Sequence, residues 1–338
     1  MKAIFLIRNG VAHKAFEIRE LVVPVPGPGE VLIKVEAFGL NFADVMARKG
    51  MYKEAPPLPC VLGYDVAGVV AATGKDVTNL KMGDRVTAMT RFGGYAEYAV
   101  TDARTTAIIS DKLDAADATA MATQFCTAYF AAAEMVTLFP GDKVLVHSGA
   151  GGVGTALIQY AKYKHCEIFA TAGSLEKLDY LRKTGVTHAI NYTTHDFEKQ
   201  IKKITNGKGL DVIFDAVGGK SVMKGFRSLA AAGRIICYGA AEMSDKNMLG
   251  KIKTALNFGI YHPVELMMAS KAIIGINMLR VADSHPHVLQ RCLNSVVKLT
   301  EEGIFTPAIG KVFPVSEISA AHEYMEKRKS IGKVAVTW

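Results

Sequence analysis

The segment DKVLVHSGAGGVGTALIQYAKYK places Gly149, Gly151 and Gly154 in GxGxxG spacing, after an apolar run and before an amphipathic one. Glycines at that spacing have separate uses. Gly149 and Gly151 permit a tight turn and a close approach of backbone to a pyrophosphate, and Gly154 lets a helix pack on a strand. Together with Gly152 and Val153 they open a helix whose free N–H groups and positive dipole end suit an anion. The motif alone is weak. A strand before it, a helix after it and a second strand ending about twenty residues later make residues 143–192 a dinucleotide-binding βαβ unit.

Where that second strand closes, an enzyme using NAD would carry Asp or Glu for the ribose hydroxyls, but the chain reads Thr171, Ala172, Gly173, Ser174. Lys177 lies one helical turn beyond Ser174, and the third strand ends at Tyr192. A hydroxyl, an ammonium and a phenol can thus converge on a 2′-phosphate, which predicts NADPH (NADP), with Glu176 keeping NAD as the alternative.

The elements that must position this chemistry follow from hydrophobic periodicity. Alternating or β-branched runs at residues 3–7, 16–23 and 31–37, a short helix at 43–48, and further runs at 65–72, 84–89 and 95–100 read as a β-dominated domain. From about residue 123 apolar strands alternate with amphipathic helices, at 143–147, 168–172, 188–191, 211–215, 235–239 and 272–276. Six such strands fit an α/β, doubly wound parallel sheet. Residues 242–270 form a long excursion, expected to be a helical flap over the active site. Strand-like runs at 312–313 and 334–337, flanking a helix at 317–328, return to the first domain. The boundaries expected are 1–122, with 303–338 returning to it, and 123–302.

Composition narrows the class. The 338 residues carry a formal net charge of +8, half are hydrophobic, and no run approaches the ~18 apolar residues of a membrane span. No signal peptide is read at the amino terminus, so the expected setting is cytoplasmic. Cys60, Cys126, Cys166, Cys237 and Cys292 are scattered singly and read as reduced and small-apolar. The basic charge is spread out, and its densest cluster, KQIKKITNGK at 199–208, reads as a solvated helix face. No nucleic acid partner is expected, while a membrane surface stays open.

Several blocks together, PGPGEVLIKVEAFGLNFADVMARKGMY, the GDRV of residues 83–86, the glycine loop and the closing IGKVAV, resemble the medium-chain dehydrogenase/reductase superfamily, in its zinc-independent quinone oxidoreductase branch. GLNFADVMAR, PPLP, VLVHSGAGGVG and ITNGKGLDVIFDAVGG look most like the vesicle amine transport protein homologue subgroup. The resemblance implies a Rossmann domain beside a β-rich, GroES-like catalytic domain. Zinc-dependent relatives hold a metal through Cys, His and acidic residues at places where this chain has Leu40 and Asn41, then Tyr64 and Asp65. No metal is therefore expected, His147 reads as a packed histidine, and His285 and His287 read as residues of an exposed helix start.

Without a Lewis acid to polarise an alcohol, hydride transfer to an acceptor already electrophilic, a quinone or an α,β-unsaturated carbonyl, becomes the expected chemistry. By resemblance, Asn41 sits near the nicotinamide ribose and Thr127 near the carboxamide. Tyr52 and Tyr64 are candidate donors in the substrate cleft, since a phenol can hydrogen-bond an oxyanion or pass a proton. Tyr238, Ala240, Ile276, Asn277 and Lys333 complete the cofactor set implied by the resemblance. An enoyl-thioester reductase and a nucleotide-binding scaffold of little activity are the alternatives. A homodimer is implied by resemblance, pairing through residues 272–276.

Overall fold

The computed structural model describes residues 1–243 and 257–338. By contacts the chain divides into two compact units, Met1–Thr127 with Met278–Trp338, and Ala128–Asn277. Each has its own sheet and core.

The first unit contains β1 (Lys2–Leu6), β2 (Phe16–Glu20), β3 (Glu30–Leu40), β4 (Cys60–Val61), β5 (Asp65–Thr73), β6 (Arg85–Met89), β7 (Tyr98–Asp102) and β8 (Thr106–Ile108), with a helix important for the site, α1 (Phe42–Arg48), between β3 and β4. β2, β1 and β4 make a small sheet. The larger sheet needs the carboxyl terminus. β15 (Ile309–Pro314) and β16 (Lys333–Thr337) complete the order β15-β16-β3-β5-β6-β8, with β7 also on β3. The β16 to β3 ladder is antiparallel and sets Val334 opposite Leu40 and Ala335 opposite Gly39. Extended structure in residues 16–23 stops at Glu20, because Leu21 to Gly27 contains two prolines that cannot donate to a ladder.

Short helices α2 (Ala115–Ala120) and α3 (Cys126–Tyr129) lead out of this unit, with five-residue π segments at Met121–Phe125 and Phe130–Glu134. Their wide turns had no periodic signature in the sequence.

The second unit is built from β9 (Lys143–Val146), α4 (Gly152–Tyr163), β10 (Glu167–Ala172), α5 (Leu175–Lys183), β11 (His188–Asn191), α6 (Phe197–Ile204), β12 (Leu210–Asp215), α7 (Lys220–Ser228), β13 (Leu229–Cys237) and β14 (Ala272–Gly275). All pairings are parallel, in the order β11-β10-β9-β12-β13-β14, the doubly wound arrangement expected. Caps start the helices. Ser174 accepts from the Lys177 N–H, and Asp196 from those of Glu198 and Lys199. The basic cluster lies on α6, which buries Phe197 and Ile201 and turns its lysines to solvent. Of the flap expected at 242–270, residues 244–256 lie outside the described residues, and the described remainder includes a helix at Pro263–Ala269.

Phe169 is wholly buried in the core of this sheet, beside Leu145, Ile190 and Ile213. Phe169→Ala is expected to lower stability by about 3–5 kcal/mol, read as an earlier urea midpoint at unchanged m-value. A cost under ~1 kcal/mol would show that this layer is not the core.

Candidate active site

The glycine turn of the second unit connects β9 to α4. Gly149 N–H donates to Thr171 O (3.0 Å) and Gly151 N–H to Ser148 O (2.9 Å), which folds the turn back onto the sheet. Its left-handed residue is Ser148, at φ 54°, rather than a glycine. That corrects the assignment of the tight turn to Gly149 and Gly151. A Cβ on Gly149 would press on Ala170, Leu181 and Ile158, so this glycine serves core packing. At Gly154 a Cβ would meet Ser148 O and Gly149 Cα, at 2.5 and 2.8 Å, which makes the close helix packing a glycine requirement. Gly151 is different. Its Cβ would touch only Ser148 O at 3.2 Å, and α4 begins there with no side-chain cap. The N–H groups of Gly152 and Val153 thus open a helix start left for an outside acceptor, the fit a pyrophosphate requires.

Next to it, a Cβ on Gly173 would strike the Tyr192 hydroxyl at 2.6 Å, so the phenol lies directly over this glycine. Ser174, exposed, caps α5, and Lys177 stands in the first turn of that helix. Tyr238 and Ala240 follow β13, and Ile276 and Asn277 follow β14, at the same carboxyl edge of the sheet as the glycine turn. The Ile276 N–H donates to Cys237 O (2.9 Å), fixing that edge. His147 is buried, with Nδ1 3.0 Å from Thr171 Oγ1 and its ring against Phe197. Burial lowers its pKa, so the ring is a neutral packing group. His285 and His287 are exposed at the start of a helix at Pro286–Glu301.

The first unit gathers Asn41, Asp44, Asp65 and Lys333 in its interior. Lys333 Nζ donates to Asp65 Oδ2 (2.8 Å) and Asn41 Oδ1 (3.0 Å), and Asn41 Nδ2 donates to Asp65 Oδ2 (2.6 Å). Lys333 and Asp65 are both completely buried. A Cβ on Gly39 would collide with both partners, so β3 carries glycine where β5 and β16 bring the pair together. Asn41 also caps α1, its N–H donating to Asp44 Oδ2 (2.8 Å). The Gly63 N–H and the Tyr95 hydroxyl also neighbour this buried carboxyl. Burial, opposed by the Asn41 N–H, pushes this carboxyl up to about 8.

Tyr64 immediately precedes Asp65. Its ring is sandwiched in an aromatic group, 6.1 Å from Tyr52 at 81° and 5.0 Å from Phe92. Phe92 takes φ 69°, an uncommon conformation for a bulky residue, which places its ring there. Burial raises the titration of both Tyr52 and Tyr64, so both are neutral phenols at physiological pH. Outside this group, Glu54 and Asp283 pair with Arg280 and Arg91. Thr127 donates its hydroxyl to Thr123 O (2.6 Å) and keeps lone pairs to accept.

Sequence reasoning therefore brought Asn41 and Lys333 to one place without their shared partner Asp65. It missed Asp44, Gly39, Ser148 and Phe92. The N-x-x-D spacing of Asn41 and Asp44 was legible as a helix cap, but its burial was not.

Residues 27–111 match the family model for the alcohol dehydrogenase GroES-like domain, and residues 152–294 that for zinc-binding dehydrogenases. The chain is 36% identical to the synaptic vesicle membrane protein VAT-1 homolog of Rattus norvegicus over 330 residues, 96% of this chain and 81% of the relative. A mycobacterial protein solved in complex with NADPH superposes with a TM-score of 0.87 at 27% identity, covering 100% of both chains. The CurK enoyl reductase superposes at 0.86 and 26% identity, covering 99% of each.

Removing one member of a dry ion pair strands the other. Lys333→Met is expected to cost about 3–5 kcal/mol in denaturant unfolding, with Asp65→Asn added to Lys333→Met recovering most of it. Equal stability of the single and double variants would show that the ammonium does not neutralise Asp65.

Proposed function

Because the chain belongs to the medium-chain dehydrogenase/reductase superfamily, in its zinc-independent quinone oxidoreductase branch, we propose that it uses NADPH to reduce a quinone or an α,β-unsaturated carbonyl. The observation that carries this reading is the uncapped start of α4, bared at Gly151, with the Gly173 and Tyr192 contact beside it. Gly151, Gly152, Val153 and Gly154 would hold the pyrophosphate, with Gly149 letting the turn pack closely against Ala170, Leu181 and Ile158. Gly173, Ser174, Lys177 and Tyr192 would hold the 2′-phosphate, which a hydroxyl, an ammonium and a phenol suit better than an acid would. Thr127, Tyr238, Ala240, Ile276 and Asn277 would line the nicotinamide.

When bound, NADPH supplies the hydride. The chain's own residues then have two tasks, orientation and stabilisation of charge. Asn41 is immobilised by Lys333 and Asp65 and would offer a fixed amide to the ribose, with Lys333 acting through it. Tyr64 and Tyr52 supply neutral O–H donors for the oxyanion or enolate that forms on the acceptor. An enoyl thioester is chemically the same acceptor class, and the similarity to an enoyl reductase favours including it as a second reading.

Homodimerisation belongs to the same proposal. Among the described residues β14 is an edge strand, and Ile260, Val264, Met267 and Met268, which precede it in the chain, are exposed. Among the described residues no helix is long and apolar enough to cross a membrane.

Purified protein is expected to consume NADPH with ortho-quinones, enones or enoyl thioesters, and NADH at least about tenfold less well. Gly151→Val should fill the bared face and weaken NADPH binding in a fluorescence titration by more than about tenfold while leaving the melting temperature nearly unchanged. Tight NADPH binding with no acceptor turned over would remove the reductase reading. Light scattering should give a dimer, and a monomer at micromolar concentration would discard the edge-strand pairing.

A further inference from the structure

A doubly wound sheet binds its ligand where the strand order reverses, in the crevice outside the carboxyl ends of the two central strands. In the second unit those strands are β9 and β12, hydrogen-bonded neighbours in the middle of the order. Two polar side chains meet at their ends. His147, the residue after β9, is buried, and Asp215, the last residue of β12, is completely buried. His147 Nε2 stands 4.0 Å from Asp215 Oδ2, and Nδ1 lies 3.0 Å from Thr171 Oγ1 on β10. The ring packs on Phe197, and its two nitrogens face the two turns that bound the crevice.

Thr171 shapes the first turn. Its Oγ1 accepts the Ser148 N–H (3.3 Å) and its carbonyl accepts the Gly149 N–H (3.0 Å). Ser148 is the left-handed residue of the glycine turn, a conformation that persists in a serine only where its surroundings hold it. Asp215 shapes the second turn. Its Oδ1 accepts the Val217 and Gly218 N–H groups, at 2.7 Å each, and Oδ2 accepts the Ser221 hydroxyl. The carbonyls of Asp215, Ala216 and Val217 then accept the N–H groups of Tyr238, Ala241 and Glu242, which ties the segment after β13 to the same turn.

These bonds also fix where the ring proton sits. Thr171 Oγ1 accepts from Ser148, so its own O–H is free to donate to Nδ1, and the single proton of the neutral imidazole lies on Nε2, aimed at Asp215. The other tautomer would leave the Thr171 O–H without an acceptor among the described residues and turn a lone pair toward the acid.

We propose that His147 is a positioning residue of the cofactor site. Oriented by Asp215, its Nδ1 accepts from Thr171 and so holds Ser148, and through it the glycine turn, in the shape that receives the NADPH pyrophosphate. The inference rests on the NADPH reading.

Two substitutions separate this role from packing. His147→Leu keeps the bulk and removes the acceptor, whereas His147→Asn gives up bulk and puts a carbonyl oxygen near the place of Nδ1. NADPH is titrated by fluorescence against each purified variant, with the melting temperature read in parallel. His147→Leu should bind NADPH about tenfold more weakly than the wild type, and adding Ser148→Gly, which takes left-handed backbone without support, should restore most of that affinity. His147→Asn should melt lower than His147→Leu and still bind within about threefold of the wild type. In the histidine ¹⁵N spectrum of the wild type, the resonance missing from His147→Asn should belong to an Nε2–H tautomer. Affinity that follows the melting temperature, with His147→Asn the weaker binder, makes the ring a packing group and overturns the proposal. So does an Nδ1–H tautomer, a result that needs no stable His147→Leu. A wild type that binds no NADPH overturns the cofactor reading and this role with it, whereas tight binding by both the wild type and His147→Leu overturns this role alone.

Discussion

The contact between Lys333 and Asp65 is the constraint on which the first unit depends. Two fully buried charges lose hydration worth several kcal/mol each, and attraction offsets that only with good geometry and further hydrogen bonds. Asn41 supplies those bonds, donating to Asp65 and accepting from Lys333. The pair joins β16 to β5 across β3, and Gly39 is the space through which they meet. Lys333 opens β16, the last strand, so the larger sheet and its charge balance both need this segment.

The second unit works from the opposite constraint. Its glycine turn gains function by leaving backbone polar groups available, and close packing makes that tolerable. Gly149 and Gly154 bring the helix, the turn and β10 within distances that a Cβ would prevent, while Ser148 absorbs the backbone turn. One unit thus spends a lysine, an aspartate and an asparagine on a closed network, and the other keeps a helix start unsatisfied. The first arrangement holds an amide still. The second suits an anionic ligand.

Much of this architecture was legible in the sequence, because buried parallel strands read as continuous apolar runs and amphipathic helices as a 3.6-residue period. β11 was read to the residue, and β9, β10 and β12 to within one at either end. β13 starts six residues earlier than its apolar run suggests, since its first half, LAAAGR, is small, partly exposed and bulged against β12. The site was less legible for the same reason in every case. Asp44, Asp65 and Lys333 belong to residue types normally exposed, and only a tertiary neighbour, distant in the chain, explains their burial. Ser148 and Phe92 adopt left-handed backbone that glycine would have announced, and each is held there by surrounding structure.

That view bears on why position 44 carries an acid at all. As the third residue of a helix, an aspartate is ordinarily held ionised by the helix dipole and by the N–H it accepts, effects worth roughly 0.3–1 kcal/mol at a surface. Here a move from an ordinary 3.8 to about 8 corresponds to roughly 6 kcal/mol of preference for the protonated form, so burial outweighs the cap. The linkage is then the reverse of a stabilising surface acid. Below the unfolded value both states hold the proton and Asp44 costs nothing, and as pH climbs toward the folded value the unfolded chain releases its proton first and stability declines. An asparagine would cap α1 without that cost. The acid at position 44 is thus kept at a stability cost, with like-charged Asp65 beside it and the Lys333 cation already engaged.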